Sequence, residues 1–233
     1  MVLSKRLWSV SSLVTEGSRL ADIGTDHGYV PVFLVEEGRI PSAIAMDVNP
    51  GPLERAREHI RQHALQDRIE TRLSDGLDAL GKDEADTVLI AGMGGALCVR
   101  ILEARPALHS EVKELVLQPQ SEIFAVRRYL EGAGWQIVQE KMVLEDGKYY
   151  QMMRCIPGKM NLTALEEKYG PCLMKEGAEE WIGYLRWRRQ IQERTLAGLA
   201  RAQGERGEKR RREAMREAEE LDALLDRMGR TTE

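Results

Sequence analysis

Asp22, Gly24, Asp26, His27, Gly28 and Tyr29 fall within eight consecutive residues at the end of a short apolar run, Leu20-Ala21-Asp22-Ile23. Their types and spacing suit the binding of a nucleoside. Glycine lets a backbone approach a ligand without a Cβ clash, and a helix starting just after it offers free N–H groups. The spacing acid-x-Gly-x-x-x-Gly lacks the middle glycine of the dinucleotide fingerprint Gly-x-Gly-x-x-Gly, the glycine that makes room for a pyrophosphate. A ligand with adenosine but no pyrophosphate fits better, and S-adenosyl-L-methionine is the commonest such cofactor. Taken alone the pattern is weak, because a strand-to-helix turn with no ligand satisfies it equally well.

Three further turns add to it. The apolar run Ser42–Asp47 ends in an acid about twenty residues past Gly28, where a carboxylate can accept hydrogen bonds from both ribose hydroxyls, and we assign Asp47 and Val48 to the cofactor. Strand Ile69–Leu73 leads into Ser74-Asp75-Gly76. There Asp75 can accept from the adenine N6 amine while a neighbouring N–H meets adenine N1. Strand Asp86–Ala91 opens onto Gly92-Met93-Gly94-Gly95, where three glycines in four residues leave the backbone bare. Gly92 and Met93 are expected beside the cofactor. Gly94, Gly95 and, after the next strand, Gln118 are expected on the side of the acceptor substrate.

The elements that must position these residues can be read from periodicity. Leu7, Val10, Leu13 and Val14 place an amphipathic helix over residues 4–15, ahead of a first strand at Arg19–Gly24. Helices follow at Tyr29–Glu37, stopped by Gly38, and at Leu53–His63, after the turn Asn49-Pro50-Gly51-Pro52. Later helices are expected at Ala96–Leu102 and Ile123–Gly132, flanking a fifth strand at Glu114–Leu117. The runs Trp135–Leu144 and Tyr149–Ile156 surround Asp146-Gly147 and read as an antiparallel hairpin. Five alternations of strand and helix closed by a hairpin give an α/β, doubly wound, Rossmann-like sheet whose last strand is reversed. Dehydrogenase sheets usually lack that hairpin, and class I methyltransferases have it. The four turns then lie at the carboxyl ends of consecutive strands, where such sheets bind ligands.

Composition divides the chain into residues 1–157, a catalytic domain, and residues 158–233, a helical coiled-coil arm. One long amphipathic helix is expected over Ala178–Arg201, with Trp181, Ile182, Leu185, Ile191, Leu196 and Leu199 as its stripe. Gly204 and Gly207 break it. A second is expected over Glu208–Met228, with Met215, Ala218, Leu221, Leu224, Leu225 and Met228. Residues 1–158 carry 18 Lys and Arg against 23 Asp and Glu, whereas residues 186–216 carry 11 against 4, a local net charge of 11 − 4 = +7. A basic block on a mildly acidic chain points to a polyanion held by one region, with Arg186, Arg189 and Arg211 among its phosphate contacts. The three cysteines, Cys98, Cys155 and Cys172, have no metal-type pairing and suit a reducing compartment. His59 and His63 lie four apart but among arginines, on what reads as a solvated helix face, so no metal is expected. With no signal-peptide core or membrane-length apolar run, the chain is expected to be soluble and cytoplasmic, with a monomer favoured.

Ala21-Asp-Ile-Gly-Thr-Asp-His-Gly-Tyr-Val-Pro31, Gly51-Pro52, Ala91-Gly-Met-Gly-Gly95 and Leu117-Gln118-Pro119, together with the helical arm, resemble the bacterial tRNA (adenine-22-N1)-methyltransferase family over nearly the whole chain. The resemblance implies a class I fold, S-adenosylmethionine, and methylation of adenine N1 in the D-arm region of tRNA. Two positions depart from the family pattern. Asp47 stands where glutamate is expected, and Gln120 where asparagine is expected.

The chemistry fits these residues. The N1 lone pair can attack the sulfonium methyl without a covalent enzyme intermediate, so the protein must align the reactants and meet the product's positive charge. Gly92-Met93-Gly94-Gly95 replaces the Asn/Asp-Pro-Pro-aromatic motif of exocyclic-amine methyltransferases and so favours a ring nitrogen. Asp26, His27 and Tyr29 are the candidate catalytic residues. Asp26 would accept from the N6 amine and offset the developing cation, and Tyr29 would stack on or orient the base. Pro171-Cys172 mimics the nucleophile of cytosine-C5 enzymes but lies beyond the sheet. Competing readings are a methyltransferase for another RNA, small molecule or protein, a nicotinamide-dependent oxidoreductase, and an RNA-binding module without catalysis.

Overall fold

The strands and helices expected over residues 1–157 are present in the computed structural model, which describes residues 1–200 and 204–229. In chain order they are α1 (Lys5–Ser11), β1 (Leu20–Ile23), α2 (Tyr29–Glu36), β2 (Ala43–Asp47), α3 (Pro50–Gln62), β3 (Ile69–Leu73), β4 (Thr87–Ala91), α4 (Gly95–Glu103), α5 (Leu108–Glu111), β5 (Glu114–Gln118), α6 (Ile123–Gly132), β6 (Trp135–Glu145) and β7 (Lys148–Pro157). Helix α3 starts earlier than the expected Leu53, because the fixed φ of Pro50 suits the first helical position. The four-residue α5 is too short to leave a periodic signal. Asp146 and Gly147 both adopt positive φ, at 49° and 73°, as a tight hairpin turn requires.

One seven-stranded sheet results, in the order β3-β2-β1-β4-β5-β7-β6. The first five strands run parallel, and β7 is antiparallel to both β5 and β6. Successive residues of a strand point to opposite faces. Ala21, Ile23, Val88, Ile90, Leu115 and Leu117 therefore join one core with Cys98, Ile101 and Leu102 of α4 and Val126 and Leu130 of α6. Leu20, Ala45, Leu89 and Val116 join the other, with Val10 of α1, Val32 and Val35 of α2 and Ala56 and Ile60 of α3. Burial on both faces is why β1, β2, β4 and β5 read as largely apolar runs, whereas the edge strand β3 is buried only at Ile69.

The chain divides into two compact units, Met1–Cys172 and Leu173–Glu233, later than the compositional change at Pro157-Gly158. Helix α7 (Ala164–Tyr169), opened by a Thr163–Glu166 capping box, belongs to the first unit. What holds it there is a buried ion pair, Arg127–Glu140, neither side chain of which reaches solvent. Arg127 Nε donates to Glu140 Oε1 at 2.9 Å, Nη2 to Gln151 Oε1 at 2.8 Å and Nη1 to the Glu167 carbonyl at 3.1 Å. Glu140 Oε2 accepts from the Cys172 N–H at 2.9 Å. A Cβ on Gly170 would meet Glu140 Oε2 at 2.7 Å and Arg127 Nη2 at 2.8 Å, so the chain must pass this pair as glycine.

Helix α8 (Pro171–Glu176) runs across the boundary between the units, and the second unit continues with α9 (Glu179–Leu199) and α10 (Glu205–Gly229), which pack antiparallel. Trp181, Tyr184, Leu185 and Gln192 are buried on α9, and Ala214, Ala218, Leu221 and Leu224 on α10. Met215, expected in the stripe, is 44% exposed, and the preceding Ala214 takes its place. Gly204, at φ 93°, precedes α10, whereas Gly207 lies inside that helix and does not break it. Arg201 lies outside the described residues.

Replacing Arg127 by methionine strands the Glu140 carboxylate in the interior. We expect a loss of about 3–5 kcal/mol of unfolding free energy, measured by urea denaturation, with most of it restored in the double variant Arg127→Met/Glu140→Leu.

Candidate active site

A cleft of about 330 Å³ opens at the carboxyl edge of β1 and β4, lined by Arg6, Leu7, Asp22, Gly24, Thr25, Asp26, Tyr29, Val30, Leu89, Ala91, Gly92 and Gln120. Asp22 is its electrostatic centre. The side chain projects from a buried strand, is 7% exposed, and no described cation pairs with it. Burial pushes its carboxyl up to about 6; the Thr25 hydroxyl opposes that shift, and the charge of Asp47 adds to it. A buried acid held so far from its ordinary range is suited to receive a cation. Gly24 turns the chain away at φ 74°, and a Cβ there would collide with the Met93 side-chain methyl.

Beyond the turn, Asp26, His27 and Tyr29 stand together at the start of α2. Asp26 Oδ1 accepts from Arg55 Nε at 3.1 Å and Nη2 at 2.7 Å, so an α3 arginine aims the carboxylate. His27 holds a left-handed φ of 61°, and its ring stacks on Tyr29 with centroids 5.2 Å apart. His59 meets the edge of Tyr29 at 5.1 Å, and its Nδ1 lies 2.8 Å from the His27 carbonyl oxygen. The solvated helix face expected around His59 is in part a brace for this turn. Tyr29 remains 39% exposed at the mouth of the cleft, a ring offered to a planar partner.

The other predicted cofactor residues lie on loops at the same edge, outside the cleft lining. Asp47 ends β2 and accepts the Asn49 N–H on Oδ1 at 2.7 Å, and Val48 beside it is 55% exposed. Asp75 is exposed after β3, and Gly76 turns at φ 56° against Ile101. Met93 packs partly buried on the core, and Gly28 caps α2 at φ 63°.

Three residues expected on the acceptor side are engaged within the protein itself. Gly95 is buried, and a Cβ there would sit 2.5 Å from the Ser121 carbonyl, so its bareness serves packing of the β5–α6 loop onto α4. Gly94, the N-cap of α4, is partly buried beside the Ser121 hydroxyl. Gln118 has no exposure; its Oε1 accepts from Arg6 Nη1 at 2.9 Å, so it orients a cleft residue. Arg6 and Arg55 are site residues that the sequence did not single out, since each reaches the site from a helix whose local pattern carries no ligand signal; His59, weighed there only for metal, and Gln120, noted only as a departure from the family pattern, also stand at the site. In the second unit Arg186 and Arg211 are exposed, whereas Arg189 is held by Asp222 at 2.7 Å and Glu193 at 3.0 Å. Among the described residues no group of three or more His, Cys, Asp or Glu is placed to hold a metal ion, and no helix is long and apolar enough to cross a membrane.

A sheet in which only β7 is reversed, with its acids and glycines at one carboxyl edge, is that of a class I methyltransferase, and residues 3–153 match the methyltransferase domain family. Over 151 residues the chain is 37% identical to the tRNA (adenine(22)-N(1))-methyltransferase of Bacillus subtilis strain 168, a stretch that spans 65% of this chain and 63% of that protein. A candidate tRNA (m1A22) methyltransferase from Streptococcus pneumoniae, solved with S-adenosyl-L-methionine, superposes with a TM-score of 0.87 at 34% identity, over 96% of this chain and 100% of that one. The B. subtilis m1A22 tRNA methyltransferase TrmK superposes with a TM-score of 0.84 at 29% identity, over 96% of this chain and 99% of that one. The chain belongs to the bacterial tRNA (adenine-22-N1)-methyltransferase family.

The raised pKa of Asp22 fixes the sign of a stability change. The unfolded carboxyl ionises near 3.8 and the folded one near 6, so ligand-free protein loses stability as pH rises between them. Above that window Asp22→Asn is expected to be more stable than the parent by up to about 3 kcal/mol, and below pH ~3.5 the two should coincide. Paired urea melts at pH 3.5 and 7.5 measure the difference.

Proposed function

We propose that this chain transfers the methyl group of S-adenosylmethionine to N1 of adenine 22 in the D-arm region of tRNA. The observation that carries the reading is the cleft in which an unpaired buried carboxylate, Asp22, shares one space with an exposed aromatic ring, Tyr29, and an oriented carboxylate, Asp26. When bound, the cofactor supplies an electrophilic methyl on a cationic sulfur. Asp22 fits that group, because the cofactor's ammonium would provide the countercharge the buried acid lacks. The bare turns at Gly24, Gly28 and Gly92 let the backbone approach it. Asp47 would accept from the ribose hydroxyls through the oxygen that Asn49 leaves open, and Val48, Asp75, Gly76 and Met93 would border the adenine.

Adenine N1 lies on the pairing edge, so the target base must leave its stack before it can react. Tyr29, backed by His27 and His59, supports stacking of the extruded base. Asp26, held by Arg55, would accept from its N6 amine. Methylation at N1 would place positive charge on the base. Asp26 offsets that charge in the transition state more than in the ground state, the condition for rate acceleration. Arg186 and Arg211 on the helical arm, which we continue to regard as beginning at residue 158, support binding of the tRNA backbone. Arg189 would contribute only by giving up Asp222.

Unmodified bulk tRNA incubated with labelled S-adenosylmethionine should yield 1-methyladenosine on nucleoside analysis, and the absence of that nucleoside despite cofactor binding would sink the proposal. Asp26→Ala should lower kcat by about 10²-fold or more with little change in cofactor affinity, and Tyr29→Ala should act mainly through the tRNA. Cofactor affinity should fall by roughly tenfold per pH unit below pH ~6, as Asp22 takes up a proton, and this slope should vanish in Asp22→Asn.

A further inference from the structure

Arg6 is the one cation among the residues lining the cleft. It stands on α1, is partly buried, and no described carboxylate pairs with its guanidinium. Two neutral groups hold it instead. Gln118 Oε1 accepts from Nη1 at 2.9 Å, and the Tyr150 ring lies beneath Cζ at 5.5 Å from its centroid. Both holders are themselves fixed: Gln118 is fully buried at the end of β5, its amide nitrogen donating to the Pro119 carbonyl at 3.3 Å, and Tyr150 belongs to β7. Glu145, the nearby acid on β6, uses Oε1 to accept the Arg6 backbone N–H at 3.1 Å and makes no described ion pair with the side chain. A half-buried guanidinium oriented by an amide and a ring, with most of its donors left over, is built to receive an anion. The same cleft carries an unpaired buried carboxylate, Asp22, so it offers one unmatched charge of each sign.

We propose that Arg6, positioned by Gln118 and Tyr150, is an anion receptor of the cleft, taking either the carboxylate of the cofactor's methionyl moiety or a phosphate of the target nucleotide. The proposal rests on the methyltransferase reading only for the identity of these two anions. An arginine can grip either with paired, charge-assisted hydrogen bonds.

The test uses the full-length chain and Arg6→Ala, Arg6→Lys and Gln118→Leu, each checked for an unchanged thermal melt. The binding probes are S-adenosylhomocysteine, 5′-methylthioadenosine, which lacks the amino-acid moiety, and unmodified tRNA at several salt concentrations. If the carboxylate is the partner, Arg6→Ala weakens S-adenosylhomocysteine by about tenfold or more and leaves 5′-methylthioadenosine unchanged. If a phosphate is the partner, both nucleosides bind as before, tRNA affinity falls, and the slope of log affinity against log salt drops by about one. Under either outcome Arg6→Lys, which keeps the charge without the paired donors, retains part of the affinity, and Gln118→Leu moves the same ligand in the same direction by less. Unchanged affinity for all three probes in a folded Arg6→Ala protein overturns the proposal. Failure of the parent protein to bind S-adenosylhomocysteine would instead count against the methyltransferase reading, and so the two failures are distinguishable.

Discussion

Five parallel strands covered by helices on both faces can offer backbone to a ligand only at their ends. That constraint arranges everything else in the first unit. Right-handed crossovers return each helix to the opposite edge, so the turns after β1, β2, β3, β4 and β5 all fall on one side. Asp22, Asp47, Asp75, Gly92 and Gln118 come from five separate stretches of sequence and share an edge for this reason alone. The opposite edge does different work. There Glu114, at the start of β5, accepts from the Thr15 N–H at 2.9 Å and from the hydroxyls of Thr15 at 2.6 Å and Thr87 at 2.8 Å, tying the entry of the chain to the middle of the sheet.

The buried acid at the heart of the cleft is a cost the fold accepts for the sake of the site. The interior offers two ways of carrying charge. Arg127 and Glu140 are fully enclosed, yet each satisfies the other, and the surrounding carbonyls and amides take up the remaining donors and acceptors. The pair locks α6, the hairpin and α7 into one arrangement. Asp22 has no such partner, and its ordinary ionisation is suppressed by desolvation. A structural charge closes its own circuit, whereas a ligand-binding charge leaves the circuit open. The contrast between two buried charges within one unit separates the functional from the architectural more sharply than burial does.

That distinction also marks what a linear sequence can convey. Asp22, Gly24, Gly92 and Asp47 are legible because their signal is local: an apolar run, an acid, and glycines where the backbone must turn at positive φ or lie bare. The doubly wound sheet and its reversed last strand follow from the alternation of elements and the closing Asp146-Gly147 turn. Arg6, which meets Gln118 across 112 positions, has no local signature, since α1 reads only as an amphipathic helix. The Asp26–Arg55 and His27–His59 contacts span 29 and 32 positions and depend on how α3 packs beside α2. Gly95 shows that a glycine beside a site can also answer to packing, since the Ser121 carbonyl claims the space a Cβ would need. Nothing around Glu167 or Cys172 in the sequence announces that their backbone completes a buried pair.

Charge counting on the helical arm needs the same correction. Eleven basic residues against four acidic ones over 186–216 imply a strongly positive surface, yet part of that charge is matched by acids beyond the counted window. Arg188 pairs with Glu217 and Arg189 with Asp222, both on α10, and these cross-helix pairs fix the register of the antiparallel helices. Arginines used in this way are poorly placed to release counterions from a polyanion, because binding would first have to break an existing pair. Exposed among the described residues of that window are Arg186 and Arg194 on α9, and on α10 Arg206, the run Lys209-Arg210-Arg211-Arg212, where Arg212 has a loose contact with Glu208 at 3.8 Å, and Arg216, which meets Glu220 at 3.5 Å. The arm's positive charge thus divides by position: the pairs toward the middle of the helices hold the hairpin together, and the exposed basic residues nearer the turn are less engaged by acids.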